Sequence, residues 1–581
     1  MRNKIVLFII IFIAVFLRFF HLGTNPPSLT WDEVAWGYNA YSIGIDGKDE
    51  FGRFLPYDYL ESFGDFKPPV YAYLTVLPVK IFGLNEFAVR FPSALFGTLT
   101  VLMTYFLTRR IFDIKSEYRI SKSETNSKAQ NKNDKKVLNL VNSNFDIVSN
   151  FGFSALNLPL IAASLLAISP WHIMLSRAAF EANVATFFLV AGVWLFLEAV
   201  QRKRWLIILS VLCFVAAFNT FNTSRIVGPV LFIGLSIAFW KELFAMKKSV
   251  IIAAILGLFL MLPVLPFIFT PQASLRFKEV NIFSNIEIII RTNQEIANDG
   301  NTWWSKILHN RRLAYGREYL NHYFDNLSPF FLFIQGDGNP KFSTQSVGQL
   351  YVFELPFLIA GILFLIRKRE KNWWIIPFWL LVGIIPAATA RETPHALRIE
   401  TTLPMFQILV AYGIMNTFVL IKKYKNLSPI TYHLFPVAFM LFAVFNIAYY
   451  LEDYYIHYPK AYSRDWQYGY KDAVAYMEKV GKEYDKIYLT KEMGRPYIYT
   501  LFYKKYDPKL FRKEAVVHRD AFGFVNVLSF NKYYFDKNAL YKTAGNKILF
   551  IDSPVDVPKS SKVLRRFTTL DGKEVMVAYT L

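Results

Sequence analysis

Apolar residues in this chain are gathered into runs of about 15 to 21 residues, separated by short charged stretches. That spacing constrains the fold more than any motif. A run such as Lys4 to Leu22 covers the ~30 Å hydrocarbon layer of a bilayer at about 1.5 Å per residue. Further runs fall near residues 88 to 108, 154 to 170, 183 to 200, 205 to 222, 226 to 240, 249 to 269, 351 to 366, 373 to 390, 401 to 421 and 430 to 450. The expectation is a mostly α polytopic membrane bundle of about eleven transmembrane helices. The first run has no small-residue cleavage site, so it reads as a retained helix and not a signal peptide. Composition agrees: 54% of residues are hydrophobic, 18% aromatic and 19% charged, which excludes a disordered chain or an ordinary soluble enzyme.

The net charge of +21 fits two readings, a nucleic-acid partner or a membrane that sorts its loops by charge. Position decides between them. Starting from Arg2 and Lys4, every second loop is basic: Arg109-Arg110, Arg202-Lys203-Arg204, Lys241 with Lys247-Lys248, Arg367-Lys368-Arg369, and Lys422-Lys423 with Lys425. Such loops stay in the cytoplasm. The N-terminus is therefore expected inside, the protein in the cell membrane, and nucleic acid is not expected as a partner. The single cysteine, Cys213, lies in an apolar run, which excludes an intramolecular disulfide and any Cys-based metal site.

Three regions stand apart from the bundle. Residues 113 to 150 are polar and rich in Lys, Ser and Asn, a flexible cytoplasmic insertion without a core. Outer loops at 23 to 87 and 270 to 350 are rich in aromatics, Pro and Gly and suited to packing on the membrane surface. A first domain of residues 1 to 451 is followed by an extracytoplasmic domain at 452 to 581. Its amphipathic stretch Lys471 to Lys482 and its strand-like runs at 486 to 490, 547 to 552 and 574 to 579 predict a small α/β unit.

The chemistry-bearing residues sit on the outer side. Thr30 can cap a helix whose first turn holds Asp32 and Glu33, where the dipole favours both charges. Capping alone explains such an acidic pair, but its neighbours argue for more. The loop continues through Ser62-Phe-Gly-Asp-Phe-Lys-Pro-Pro-Val-Tyr71, and the prolines after Lys67 extend the backbone before a new helix. A lysine at a helix start, at membrane level and near acids, suits an anionic phosphate, although such a lysine can also snorkel to water.

The ordered set Trp31-Asp32-Glu33, Phe66-Lys67-Pro68-Pro69, Phe82-Gly83 and Arg90-Phe-Pro-Ser-Ala-Leu-Phe-Gly97 resembles the integral-membrane glycosyltransferases of the GT-C superfamily. Within it, the likeness is to protein O-mannosyltransferases and the lipid A aminoarabinose transferase. It is most specific over the first 110 residues. The resemblance implies a sugar donor linked through phosphate to a polyprenol, an outer-face hydroxyl acceptor on protein, lipid or glycan, and transfer with inversion. It implies Asp32 as general base and Glu33 as a residue that orients either Asp32 or the acceptor. No cofactor is implied.

Later outer stretches extend the set. Asp337 and Asn339 in Gln335-Gly-Asp-Gly-Asn-Pro340 can hydrogen-bond sugar or acceptor hydroxyls, or simply form a turn; Asp65 and Tyr71 are grouped with them. His172 and Arg177, Arg225, and the loop Arg391-Glu-Thr-Pro-His-Ala-Leu-Arg398 put cations on the side where positive charge is disfavoured. Arg18, near the outer end of the first run, either joins them or snorkels to the interface. Arg177, Arg225, His395 and Arg398 are accordingly candidates, with Lys67, for the donor phosphate. No spacing demands a metal, although Asp32, Glu33 and Asp337 could recruit a divalent ion after folding. Two other classes fit the same hydropathy: a secondary transporter or lipid flippase, and a non-catalytic envelope protein that binds or assembles glycans. The first tends to show repeated halves and midplane charges, and no clear repeat is present here.

Overall fold

The computed structural model describes residues 2–113, 157–423, 429–520, 524–541 and 547–581. All but the first residue of the polar insertion expected at 113 to 150 lies outside the described residues. The membrane half is built from α1 (Arg2–Phe19), α2 (Trp31–Asp46), the hairpin β1 (Leu60–Ser62) and β2 (Asp65–Lys67), α3 (Val70–Phe82), α4 (Glu86–Ile111), α5 (Leu158–Ile168), α6 (Pro170–Arg177), α7 (Glu181–Gln201), α8 (Leu206–Phe218), α9 (Ser224–Ala238) and α10 (Lys247–Met261). There follow α11 (Ile286–Asn298), α12 (Trp303–Leu308), α13 (Arg311–Asp325), α14 (Leu355–Lys368), α15 (Ile375–Ala388), α16 (Met405–Lys423) and α17 (Pro429–Glu452), with short helical turns between.

The expected runs become helices, but not eleven clear spans. Among the described residues α4, α7 and the stretch Pro436–Ala461 are long and apolar enough to cross a membrane, and the pair α5–α6, bent by 55°, makes a fourth if counted as one span. The bend falls at Ser169-Pro170, where proline has no N–H for the ladder. α3, α8, α9, α15 and Met405–Ile421 are shorter apolar helices. The last long helix continues past residue 452, through a π-helical turn at Asp453–His457, to Ala461.

The C-terminal unit adds α18 (Tyr470–Val480), β3 (Lys486–Leu489), α19 (Pro496–Tyr503), α20 (Pro508–Glu514), β4 (Val516–Arg519), β5 (Val525–Phe530), β6 (Tyr533–Tyr534), β7 (Ile548–Asp552), β8 (Lys562–Thr568) and β9 (Glu574–Thr580). Its seven strands run in the order β4-β5-β6-β3-β7-β9-β8, with β3 parallel to both neighbours and the remaining pairs antiparallel. β3 is buried along its length because both faces are covered. Ile487 and Leu489 meet Ala473, Val474 and Met477 of α18, while Tyr488, on the other face, meets Tyr534, Phe550 and Tyr579.

The hydrophobic interior shows how the parts are joined. One core fills the helix bundle. A second unites the segment of residues 23 to 87 with the C-terminal unit, bringing Val34, Trp36, Tyr38, Leu60, Phe63 and Tyr71 together with Met493, Tyr497, Phe502 and Phe511. The Cβ that an alanine would add at Gly37 would lie 2.6 Å from Val89 and 2.5 Å from Phe502, so α2 is pressed between α4 and α19. Polar ties follow the same seam: Tyr499 donates to the Leu29 carbonyl at 3.0 Å, Val525 N–H to the Phe63 carbonyl at 3.1 Å, and Arg512 to the Asp49 carbonyl at 3.0 Å. The C-terminal unit thus holds the two elements that carry Asp32 and Lys67.

Candidate functional site at the rim of the bundle

Thr30 is extended (φ −71°, ψ 162°) and caps α2 through a reciprocal pair: its hydroxyl accepts from Glu33 N–H at 3.4 Å, and its own N–H donates to Glu33 Oε2 at 2.9 Å. This separates the two acids. Glu33 points inward and is wholly buried, with Oε1 accepting from Arg90 Nε at 2.9 Å and from Ala179 N–H at 2.9 Å. Arg90, equally buried, also donates to the carbonyls of Leu22 and Pro26 at 3.2 and 2.8 Å. Glu33 therefore ties α2 to α4 and to the turn before α7. Asp32, one residue earlier on the helix, faces outward with a side chain 48% exposed.

The hairpin β1–β2 delivers the counter-charge. Leu60 pairs with Lys67 and Ser62 with Asp65, so the chain reverses and Lys67 is placed just before α3. Its ammonium forms an ion pair with Asp32 and lies 5.3 Å from the centre of the Trp36 ring and 5.7 Å from that of Phe63. Burial alone would depress its pKa, but the carboxylates of Asp32, Asp65 and Glu181 outweigh it and hold the lysine above its ordinary value, fully charged.

Two residues not singled out from the sequence join this couple. Glu181, which opens α7, acts electrostatically on Lys67; an acid in a helix's first turn reads as a dipole partner, which concealed it. Lys341 lies over the Trp31 ring at 4.6 Å; burial lowers its pKa, and Asp32, Asp465 and Glu33 partly offset this. No local pattern marks it: a lone lysine after Asn-Pro has no spacing to read.

Lys341 also links the couple to the second group of expected residues. Four positions earlier, buried Asp337 accepts from Asn339 N–H at 2.8 Å and from Ala396 N–H at 2.6 Å, and lies 3.8 Å from His395 Nδ1. Burial pushes the Asp337 carboxyl up to about 6, against the pull of those two amides and of Arg398. The His395 ring packs on Phe342 at 4.9 Å. Arg398 is half-buried and donates to the Glu392 carbonyl at 3.3 Å, and Asn339 is exposed and closes the turn onto Lys341 N–H. Phe221, from the turn before α9, packs with Ala182 and Ala185 of α7 and Leu397, while Val70 N–H donates to the Asn219 carbonyl at 3.3 Å. Arg225, in the first turn of α9, therefore belongs to the same rim, and its buried Nε and Nη2 have no hydrogen-bond partner among the described residues.

The fold uses the remaining expected residues differently. Arg177 donates to the carbonyls of Leu17, Phe20 and Asn25 at 2.7 to 2.9 Å and to the Tyr454 hydroxyl at 3.2 Å, closing the C-terminal end of α1. Arg18 similarly donates to the carbonyls of Ala14, Leu166 and Ala167 and meets His172 Nδ1 at 2.6 Å. Tyr71 is buried with its hydroxyl on the Val89 carbonyl at 3.0 Å. Among the described residues no three His, Cys, Asp or Glu side chains are disposed to hold a metal ion. Asp32, Glu33 and Asp337 do not converge, because Glu33 is committed to Arg90 and Asp337 to backbone amides.

Residues 66–119, which include Lys67, Tyr71 and Arg90, match the family model described as dolichyl-phosphate-mannose-protein mannosyltransferase. An uncharacterized protein of Aquifex aeolicus (strain VF5) is 33% identical over 117 residues, 20% of this chain and 22% of that relative, so the alignment spans about a fifth of the relative's length. Among solved structures, ArnT from Cupriavidus metallidurans in the apo state superposes with a TM-score of 0.51 at 12% identity, covering 98% of this chain and 97% of that one. The apo oligosaccharyltransferase of Archaeoglobus fulgidus gives 0.49 at 13% identity over 86% and 63%. The chain thus has the ArnT fold, and the segment from Phe66 through α3 and α4 resembles the O-mannosyltransferases.

Proposed function

We propose that the protein is a glycosyltransferase that moves a sugar from a polyprenyl-phosphate donor to an acceptor hydroxyl on the extracytoplasmic face of the cell membrane. The observation that carries the reading is the Asp32–Lys67 ion pair. A half-exposed carboxylate is held against a buried ammonium at the rim of an ArnT-like bundle, and the lysine of the pair opens the segment that matches the mannosyltransferases.

In this reading Lys67, with Arg225 and the His395–Arg398 turn, meets the donor phosphate. The unpartnered guanidinium nitrogens of Arg225 support that role. The phosphate competes with Asp32 for Lys67, and Asp32, once released, takes the proton of the acceptor hydroxyl. The acceptor oxygen forms its bond to the anomeric carbon as the carbon–oxygen bond to phosphate breaks, and polyprenyl phosphate leaves with the electron pair. One displacement inverts the centre and needs no covalent sugar-enzyme intermediate. The charge developing on the leaving phosphate is stabilised by cations already in place. Glu33 acts as a positioning residue through α2, and Asp65, Asp337 and Asn339 are assigned to the sugar and acceptor. The N-terminus is assigned to the cytoplasm and the unit after residue 452 to the outside.

A polyprenyl-phosphate-sugar transfer assay on D32N and K67A tests this. Loss of a general base costs about 10² to 10⁴-fold in rate. Wild-type turnover in either variant removes the role assigned to that residue.

A further inference from the structure

The helices of the second outer loop enclose a cleft that the transfer reaction does not use. It lies among α11, α12 and α13, has a volume of about 440 Å³, and is lined by Arg291, Arg317, Glu295 and Glu318 on its polar side and Leu308 and Leu313 on its apolar side. Its charges are arranged unequally. The carboxylate of Glu295 is occupied by His309, whose ring nitrogens lie 3.0 and 2.9 Å from Glu295 and Asp299, and Glu318 lies 3.5 Å from His322. Arg291 and Arg317 have no ion pair or hydrogen bond among the described residues. Each lining glutamate is thus held by a histidine, while the two guanidinium groups have no ion-pair partner among the described residues and are open to an anionic ligand.

The surroundings place the cleft at a membrane surface. Tyr323 and Tyr319 of α13 donate to the carbonyls of Leu381 and Ile385 at 2.9 and 3.3 Å, so α13 lies along α15 where that helix presents apolar side chains outward. Beside the cleft, α12 exposes Trp303, Ile307 and Leu308, at 77%, 57% and 63%. Exposed tryptophan and aliphatic side chains at the rim of an apolar bundle belong in the interfacial zone of a bilayer. Guanidinium groups match phosphate oxygens in pairs, and at a surface of this kind the phosphate available is a lipid's.

We propose that this cleft binds the anionic phosphate headgroup of a membrane lipid, with Arg291 and Arg317 on the phosphate and α12 sunk among the acyl chains. The proposal does not depend on the transfer reaction. It is tested by native mass spectrometry of the full-length, detergent-solubilised protein with dioctanoyl phosphatidylglycerol, dioctanoyl phosphatidylcholine or inorganic phosphate as probe. Wild type should hold the anionic lipid roughly fivefold or more above the zwitterionic one, the scale of one or two charge-assisted contacts. The R291Q/R317Q double variant should erase that preference while melting as wild type does, because both arginines are exposed. W303S/W304S should weaken lipid binding of both kinds. Retention of the preference in R291Q/R317Q overturns the proposal. Equal displacement of the lipid by inorganic phosphate, with no effect of W303S/W304S, overturns it in favour of a free-phosphate site.

Discussion

The sharpest test of the division of labour between the adjacent acids is Glu33→Gln. In the wild type, Oε1 serves Arg90 and Ala179 N–H, and Oε2 serves Thr30 N–H, each at 2.9 Å, with the side chains of Glu33 and Arg90 fully buried. Glutamine can keep its oxygen toward Arg90 and Ala179, but its amide then sets a donor against the Thr30 N–H. Among the described residues the guanidinium also loses its one ion-pair partner and keeps carbonyls. Removing one partner of a buried pair costs about 3–5 kcal/mol, and a buried orphaned donor accounts for about 1–3 kcal/mol of such losses. Thermal unfolding of the full-length protein in detergent should show E33Q melting several degrees below wild type, at a scale of about 2–4 °C per kcal/mol or less in a chain of this size. D32N changes a half-exposed group and leaves the Lys67 ammonium with the charges of Asp65 and Glu181, so it should melt less far below wild type than E33Q and still lose transfer. If E33Q melts with wild type, or D32N keeps transfer, the assignment of Glu33 to structure and Asp32 to chemistry is wrong.

Asp337 makes the fold pH-sensitive. With its carboxyl at about 6 in the folded chain against 3.8 ordinarily, the proton is held more tightly folded than unfolded, so its stabilisation is complete below about pH 4 and lost as pH rises through 6. The full loss is at most about 3 kcal/mol, and melting curves from pH 4.5 to 7.5 should be flatter for D337N by that amount. Tyr71→Phe removes only a hydrogen bond to the Val89 carbonyl, about 1 kcal/mol of stability, and should leave the acceptor KM unchanged; a raised KM would place the phenol in the acceptor site. Gly494 has φ +125° and lies under Trp31, where an added Cβ would come within 2.6 Å of the ring. G494A should cost about 1–3 kcal/mol in backbone strain and lower turnover by moving Trp31 off Lys341, measured by melting and by the transfer assay.

The sequence by itself determined whatever depends on neighbours along the chain. The capping box at Thr30–Glu33, the helix after Pro68-Pro69, the strands at 486, 548 and 574, and the apolar helices are local consequences of propensity and periodicity. Counting spans was less secure, because a run of apolar residues does not show where a proline such as Pro170 bends it. Sorting the cations was beyond local reading. Arg177 and Arg225 have the same charge, one at the end of α6 and the other at the start of α9, yet one closes the end of α1 on three carbonyls while the other has nitrogens without a partner among the described residues. A guanidinium's role depends on which carbonyls and carboxylates the fold brings to it, and those come from residues far away in sequence. The same holds for Asp32 and Glu33. Adjacent on one helix, they differ because the helix turns by about 100° between them. Tertiary packing then placed Arg90 against one face and Lys67 against the other.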